Sequence, residues 1–114
     1  MGQLPSHLTP AEVLAVQDFL DGARLLLGDD LLEVRLFGSR ARGEGGPDSD
    51  LDLALIVTAS GRARRHEVYD LAFDVRLRRG VDVAPLVIEK ARIQELRARE
   101  RRIARDLDRE GIVL

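Results

Sequence analysis

The sequence predicts an α/β (α+β) fold, and three observations carry that reading. Helical and strand periodicities alternate along the chain, glycines and prolines mark the changeovers, and no repeat or linker interrupts the 114 residues. The predicted order is helix then strand, repeated three times and closed by a C-terminal helix, with helices packed on a small mixed sheet. The length suits one domain over residues 1–114, with 1–9 as an N-terminal tail.

Each element has a local reason. Thr9-Pro10-Ala11-Glu12 reads as a helix start: threonine caps, proline is tolerated at the first helical position, and the glutamate reaches back to complete a capping box. Val13, Val16, Leu20, Ala23 and Leu27 follow at helical spacing, and Gly28 ends the run. Leu32, Val34 and Leu36 alternate with Glu33 and Arg35, which predicts a first strand ending at Phe37-Gly38. A short helical turn over Ser39 to Arg42 is expected next, then a loop, "GEGGPDS". Asp50 to Val57 is the second strand, apolar after Asp52 and so expected to be buried on both faces. "TASGRA" breaks it. A helix follows from Arg64 to Arg79, with Val68, Leu71, Ala72 and Val75 on one face and Gly80 as its stop. Val81 to Val87 is the third strand, placed at a sheet edge because Pro85 lacks a ladder donor. Glu89 to Arg109 is predicted as one last helix carrying Ile93, Leu96, Ile103 and Leu107, ahead of a short apolar tail, "GIVL".

Composition narrows the function. There is no cysteine, so disulfides and thiolate metal sites are ruled out, and two histidines are too few for a histidine-rich metal cage. No apolar run approaches the roughly 20 residues that span a bilayer, and the N-terminus lacks the pattern of a signal peptide. Cytoplasmic localisation with no membrane association is the expectation. Charged residues make up 33% of the chain but the net charge is −2, which argues against direct nucleic-acid binding. The basic run "RARERRIAR" is offset by Glu95, Glu100, Asp106 and Asp108, and reads as a solvated face or a docking surface.

The chemistry concentrates in "GSRARGEGGPDSDLDLALIV", Gly38 to Val57. Side chains alternate along a strand, so Asp50 and Asp52 point the same way, about 7 Å apart. Adjacent anions repel, and solvent or a divalent cation relieves them. Oxygen ligands without histidine or cysteine suit Mg²⁺ or Mn²⁺ rather than zinc. Asp82, if its strand lies beside the second, joins the pair as a third carboxylate; on its own it reads equally as a surface acid. Gly38 and Ser39 fit a phosphate-binding turn, the glycine allowing close approach and the hydroxyl donating to an anion. Arg40 and Arg42 could add charge-assisted phosphate contacts, although loop arginines are commonly only solubilising. Neither a Walker loop nor a dinucleotide fingerprint is present.

Gly38-Ser39, ten residues, then Asp50-Leu51-Asp52 resembles the Gly-Ser-x10-Asp-x-Asp signature of the DNA polymerase beta-like nucleotidyltransferase superfamily. Short length and the wording "GSRARG…SDLDL" are most similar to its minimal nucleotidyltransferase (MNT-domain) members, as in HEPN/MNT toxin–antitoxin pairs. The resemblance implies transfer of a nucleoside monophosphate, AMP from ATP or another NTP, to an acceptor hydroxyl. It implies two Mg²⁺ ions (or Mn²⁺) held by Asp50, Asp52 and Asp82, with Asp82 helping to deprotonate the acceptor and Gly38-Ser39 holding the departing pyrophosphate. It further implies an antitoxin acting on a HEPN-domain helical partner. Two other functions stay open: a non-catalytic module that neutralises its partner by occlusion, and a subunit that modifies a small molecule such as an aminoglycoside. Helix faces left apolar by so small a sheet point to association with a helical partner or with itself.

Overall fold

The computed structural model describes residues 4–45, 49–99 and 101–114. The start of the N-terminal tail, the loop centre at Gly46, Pro47 and Asp48, and Glu100 of the last predicted helix lie outside the described residues. The elements are α1 (Pro10–Leu27), β1 (Leu31–Phe37), β2 (Leu51–Val57), α2 (Ala59–Arg62), α3 (Arg65–Arg79), β3 (Val83–Glu89), α4 (Lys90–Ala98), α5 (Arg102–Glu110) and β4 (Ile112–Val113). A 3₁₀ turn at Gly28–Asp30 joins α1 to β1. Among the described residues no helix is long and apolar enough to cross a membrane.

The four strands form a mixed sheet in the order β3-β2-β1-β4. β1 pairs antiparallel with β2 and β4, whereas β2 and β3 run parallel. β2 is therefore central, which explains its nearly unbroken apolar sequence: every residue from Leu53 to Val57 is buried. β3 occupies an edge, where Pro85 is tolerated.

Strand alternation sorts the core into two layers. Leu51, Leu53, Leu55 and Val57 face one way, with Val34 and Leu36 of β1, and pack with Val16, Phe19 and Leu20 of α1 and Val68 and Val75 of α3. Ala54, Ile56 and Ile88 face the other way and pack with Ile93 of α4 and Ala104 and Leu107 of α5. The capping box forms as expected: Thr9 Oγ1 accepts from the Glu12 amide at 3.1 Å, and Glu12 Oε1 accepts from the Thr9 amide at 2.9 Å.

Several boundaries differ from expectation. "TASGRA" carries the short helix α2, because the Thr58 hydroxyl caps it by accepting from the Gly61 amide at 3.1 Å. The segment after Gly38 is a run of turns, not a helix. β3 starts at Val83, so Asp82 precedes the strand instead of lying within it. The last helix is two, broken between Ala98 and Arg102, where Arg101 is extended (φ −69°, ψ 143°). The break lets both halves bring their apolar residues onto the same face of the sheet, which one straight rod of that length cannot do. The tail is also more than a tail: Ile112 pairs with Leu36 and Val113 with Arg35, and the Leu114 amide donates to Val34 O at 2.9 Å.

Candidate active site

The β1–β2 pairing brings the two halves of the glycine-serine and aspartate motif together. Phe37 is the register partner of Asp52, so Gly38, the next residue, lies against the Asp52 carboxylate. Gly38 has a positive φ of 77°, and a Cβ there would overlap Asp52 Oδ2. Glycine is thus required twice over, by backbone conformation and by the space the carboxylate occupies. Beyond it the chain turns tightly: Gly38 O accepts from the Ala41 and Arg42 amides at 3.2 and 3.3 Å, and Ser39 O accepts from the Glu44 amide at 2.8 Å.

Asp50 is exposed just ahead of β2, and Asp52 is half-buried within it. Burial pushes the Asp52 carboxyl above its usual range, the Asp50 charge adds to that shift, and the Arg42 guanidinium partly opposes it. The pair is therefore short of positive charge. That demand, met by oxygen donors alone, fits a hard divalent cation such as Mg²⁺, which commonly takes one or two carboxylates and completes its shell with substrate phosphates and water.

Asp82 comes close through its backbone but not through its side chain. Leu51 N donates to Asp82 O at 3.0 Å, and the register of Leu51 with Val83, carried one residue back, sets Asp82 beside Asp50. Its carboxylate, however, pairs with Arg76 of α3, Nε to Oδ1 at 3.1 Å. Among the described residues no group of three or more acids or histidines is disposed to hold a metal ion. The three-carboxylate cluster expected from the sequence is thus present as two carboxylates and a neighbour turned aside.

The two arginines separate. Arg40, expected at phosphate, is only 5% exposed, and its guanidinium is engaged with the equally buried Glu12. Nη2 donates to Glu12 Oε1 at 2.6 Å and Nε donates to Oε2 at 3.1 Å. The Arg40 carbonyl also meets His7 Nε2, so the loop is tied to α1 and to the segment before it. Correcting the expectation, Arg40 is a tether that holds the turn in place, because its donors are already turned inward. Arg42 is exposed, pairs with Glu44 and Glu110 at 3.2 and 2.8 Å, and is close enough for its charge to act on Asp52. Exposed pairs of this kind exchange readily for a phosphate.

Sequence reasoning missed two residues. Glu12 was visible as a capping residue, but its second partner lies 28 positions away. Arg76 carried no signal at all, since it is one of several arginines at the end of α3.

A turn after one strand pressed on a carboxylate pair at the mouth of its neighbour is the site layout of a nucleotidyl-transferring enzyme. The chain belongs to the nucleotidyltransferase domain family, which it matches over residues 20–107. A relative from Methanocaldococcus jannaschii, provisionally named protein adenylyltransferase MJ1305, is 35% identical over 77 residues, covering 65% of this chain and 52% of its own. The chain thus spans about half the length of that curated relative. Among solved structures, a mutant form of the toxin–antitoxin MntA–HpeT is similar with a TM-score of 0.50 and 15% identity, over 82% of this chain and 68% of that one. At that identity the likeness is one of fold.

Proposed function

We propose that the chain transfers a nucleoside monophosphate, AMP from ATP, to a hydroxyl of a partner protein. The observation that carries this reading is the packing of Gly38 against the Asp52 carboxylate with Asp50 beside it. It puts a phosphate-compatible turn and a cation-demanding acid pair in one place. The name of the archaeal relative supports a protein acceptor, and the toxin–antitoxin setting of the structural neighbour supports a HEPN-type toxin as that partner.

Asp50 and Asp52 would hold Mg²⁺. When bound, the ion neutralises phosphate charge and so lowers the repulsion between an anionic phosphate and the incoming oxygen. Gly38-Ser39 orients the β- and γ-phosphates, and Arg42 leaves its glutamates to pair with them. Asp82 accepts the proton of the acceptor hydroxyl. The acceptor oxygen then bonds to the α-phosphorus as the bond to the bridging oxygen of pyrophosphate breaks, and pyrophosphate carries that electron pair away.

The test is incubation with ATP labelled at the α-phosphate, Mg²⁺ and the protein encoded beside this one. Label should appear on the partner, and Asp50→Ala and Asp52→Ala should each abolish it. No label from any of the four NTPs would overturn the reading. One observation favours a second reading, neutralisation by occlusion: Tyr69, Phe73 and Leu77 form an exposed apolar stripe on α3, independent of the carboxylates. It is favoured if the Asp50→Ala/Asp52→Ala double variant still suppresses partner toxicity in cells.

A further inference from the structure

We infer that Arg76 is a latch that withholds Asp82 from the acidic site, so that the site is completed only when this pair opens. The inference rests on the reading above and adds a positioning residue to it.

The geometry is specific. The Asp82 backbone is docked beside β2 by the Leu51 amide, in register next to Asp50. Neighbouring strands lie about 4.8 Å apart, so nothing in the backbone keeps the carboxylates from converging. Asp82 precedes β3, so the strand pleat does not fix its side-chain direction. What turns the carboxylate aside is the guanidinium of Arg76, at 3.1 Å. Arg78 and Arg79, at the same helix end, are committed to Asp18 of α1 at 3.6 and 2.7 Å. Arg76 alone of the three reaches across to β3.

The pair is also built to open. Both side chains are largely exposed, 64% for Arg76 and 49% for Asp82, so it is solvated and weakly held. It lies in an open cleft of about 260 Å³ that also involves Tyr69, Phe73 and Pro85. A rotation about χ1 of Asp82 between staggered wells releases the carboxylate without moving the backbone.

The experiment measures Mn²⁺ affinity of the full chain by electron paramagnetic resonance, with no acceptor present. Arg76→Gln should bind Mn²⁺ about tenfold tighter than wild type, or about 1.4 kcal/mol. Arg76→Lys, which keeps a cation at the position, should stay near wild type. Arg78→Gln, which removes an equal charge from the same helix end, should also stay near wild type. Adding Asp82→Asn to Arg76→Gln should cancel the gain, and the melting midpoint of Arg76→Gln should match wild type. Binding by wild type that Asp50→Asn/Asp52→Asn abolishes, but that Arg76→Gln leaves unchanged, overturns the latch alone. So does a gain that survives Asp82→Asn or is matched by Arg78→Gln. Absence of Mn²⁺ binding in wild type and Arg76→Gln alike overturns the latch together with the function it rests on.

Discussion

Replacing Arg40 by alanine should be among the most damaging single changes outside the hydrophobic layers. Glu12 is 2% exposed and Arg40 5%, and two charge-assisted hydrogen bonds of 2.6 and 3.1 Å join them. The alanine variant strands a buried carboxylate that keeps only the Thr9 cap. Breaking a buried ion pair from one side costs about 3–5 kcal/mol. For a domain of this size that lowers the melting midpoint by roughly 10–20 °C. It also lowers the urea midpoint by about 2 M, given slopes of about 1–3 kcal/mol per M. The pH dependence supplies an independent signature. Burial pushes the Glu12 carboxyl up, but the hydrogen bonds and charge of Arg40, with help from Thr9, leave it below its ordinary 4.5. A group depressed in the folded state contributes stability that is fully present above pH 4.5 and is lost as pH falls through the folded value. Arg40→Ala should therefore flatten the acid limb of the stability profile as well as lower it. The Arg40→Met/Glu12→Gln pair should recover much of the loss, because removing both charges removes the uncompensated one. Urea unfolding at neutral pH and near pH 4 reads all of this. Stability of Arg40→Ala within 1 kcal/mol of wild type (about the ceiling for an exposed pair) would refute the tether.

Asp52→Asn should stabilise the metal-free chain by roughly 1 kcal/mol while abolishing transfer, because two charges about 7 Å apart near a protein surface repel by about that much once salt screening is included. The sign follows from burial and the Asp50 charge, which raise the Asp52 carboxyl above 3.8. Its cost is present above the folded value and is relieved as pH falls toward 3.8, so the variant's advantage in urea melts should shrink on acidification. Gly38→Ala and Gly80→Ala form a matched pair, with φ of 77° and 68°. Gly80 has open space around a Cβ and should lose only about 1–2 kcal/mol for the left-handed backbone, with transfer intact. Gly38→Ala adds the collision with Asp52, so label transfer should fall at least about tenfold, a displaced carboxylate acting directly on the reaction. Equal activity in the two variants would show that Gly38 serves only the turn.

Much of the chain is legible locally. The α1 cap, the alternation of β1, the apolar run of β2 and the edge position implied by Pro85 each follow from a few neighbouring residues and are present as expected. The break between α4 and α5 was not legible, since the apolar spacing is compatible with one helix until the curvature of the sheet face has to be covered. Nor was β4, because two residues become a strand only when a neighbour offers a ladder to pair with.

The sequence by itself determined the elements, the family signature and the acids that carry its chemistry, because those depend on periodicity and short spacing. Only the tertiary structure decided which charges meet: Arg40 with Glu12, Arg76 with Asp82, and Gly38 against Asp52. Pairing between arginines and carboxylates is set by where helices and strands lie in space, and a chain with 18 cations and 20 anions offers far too many combinations for its order alone to choose among them.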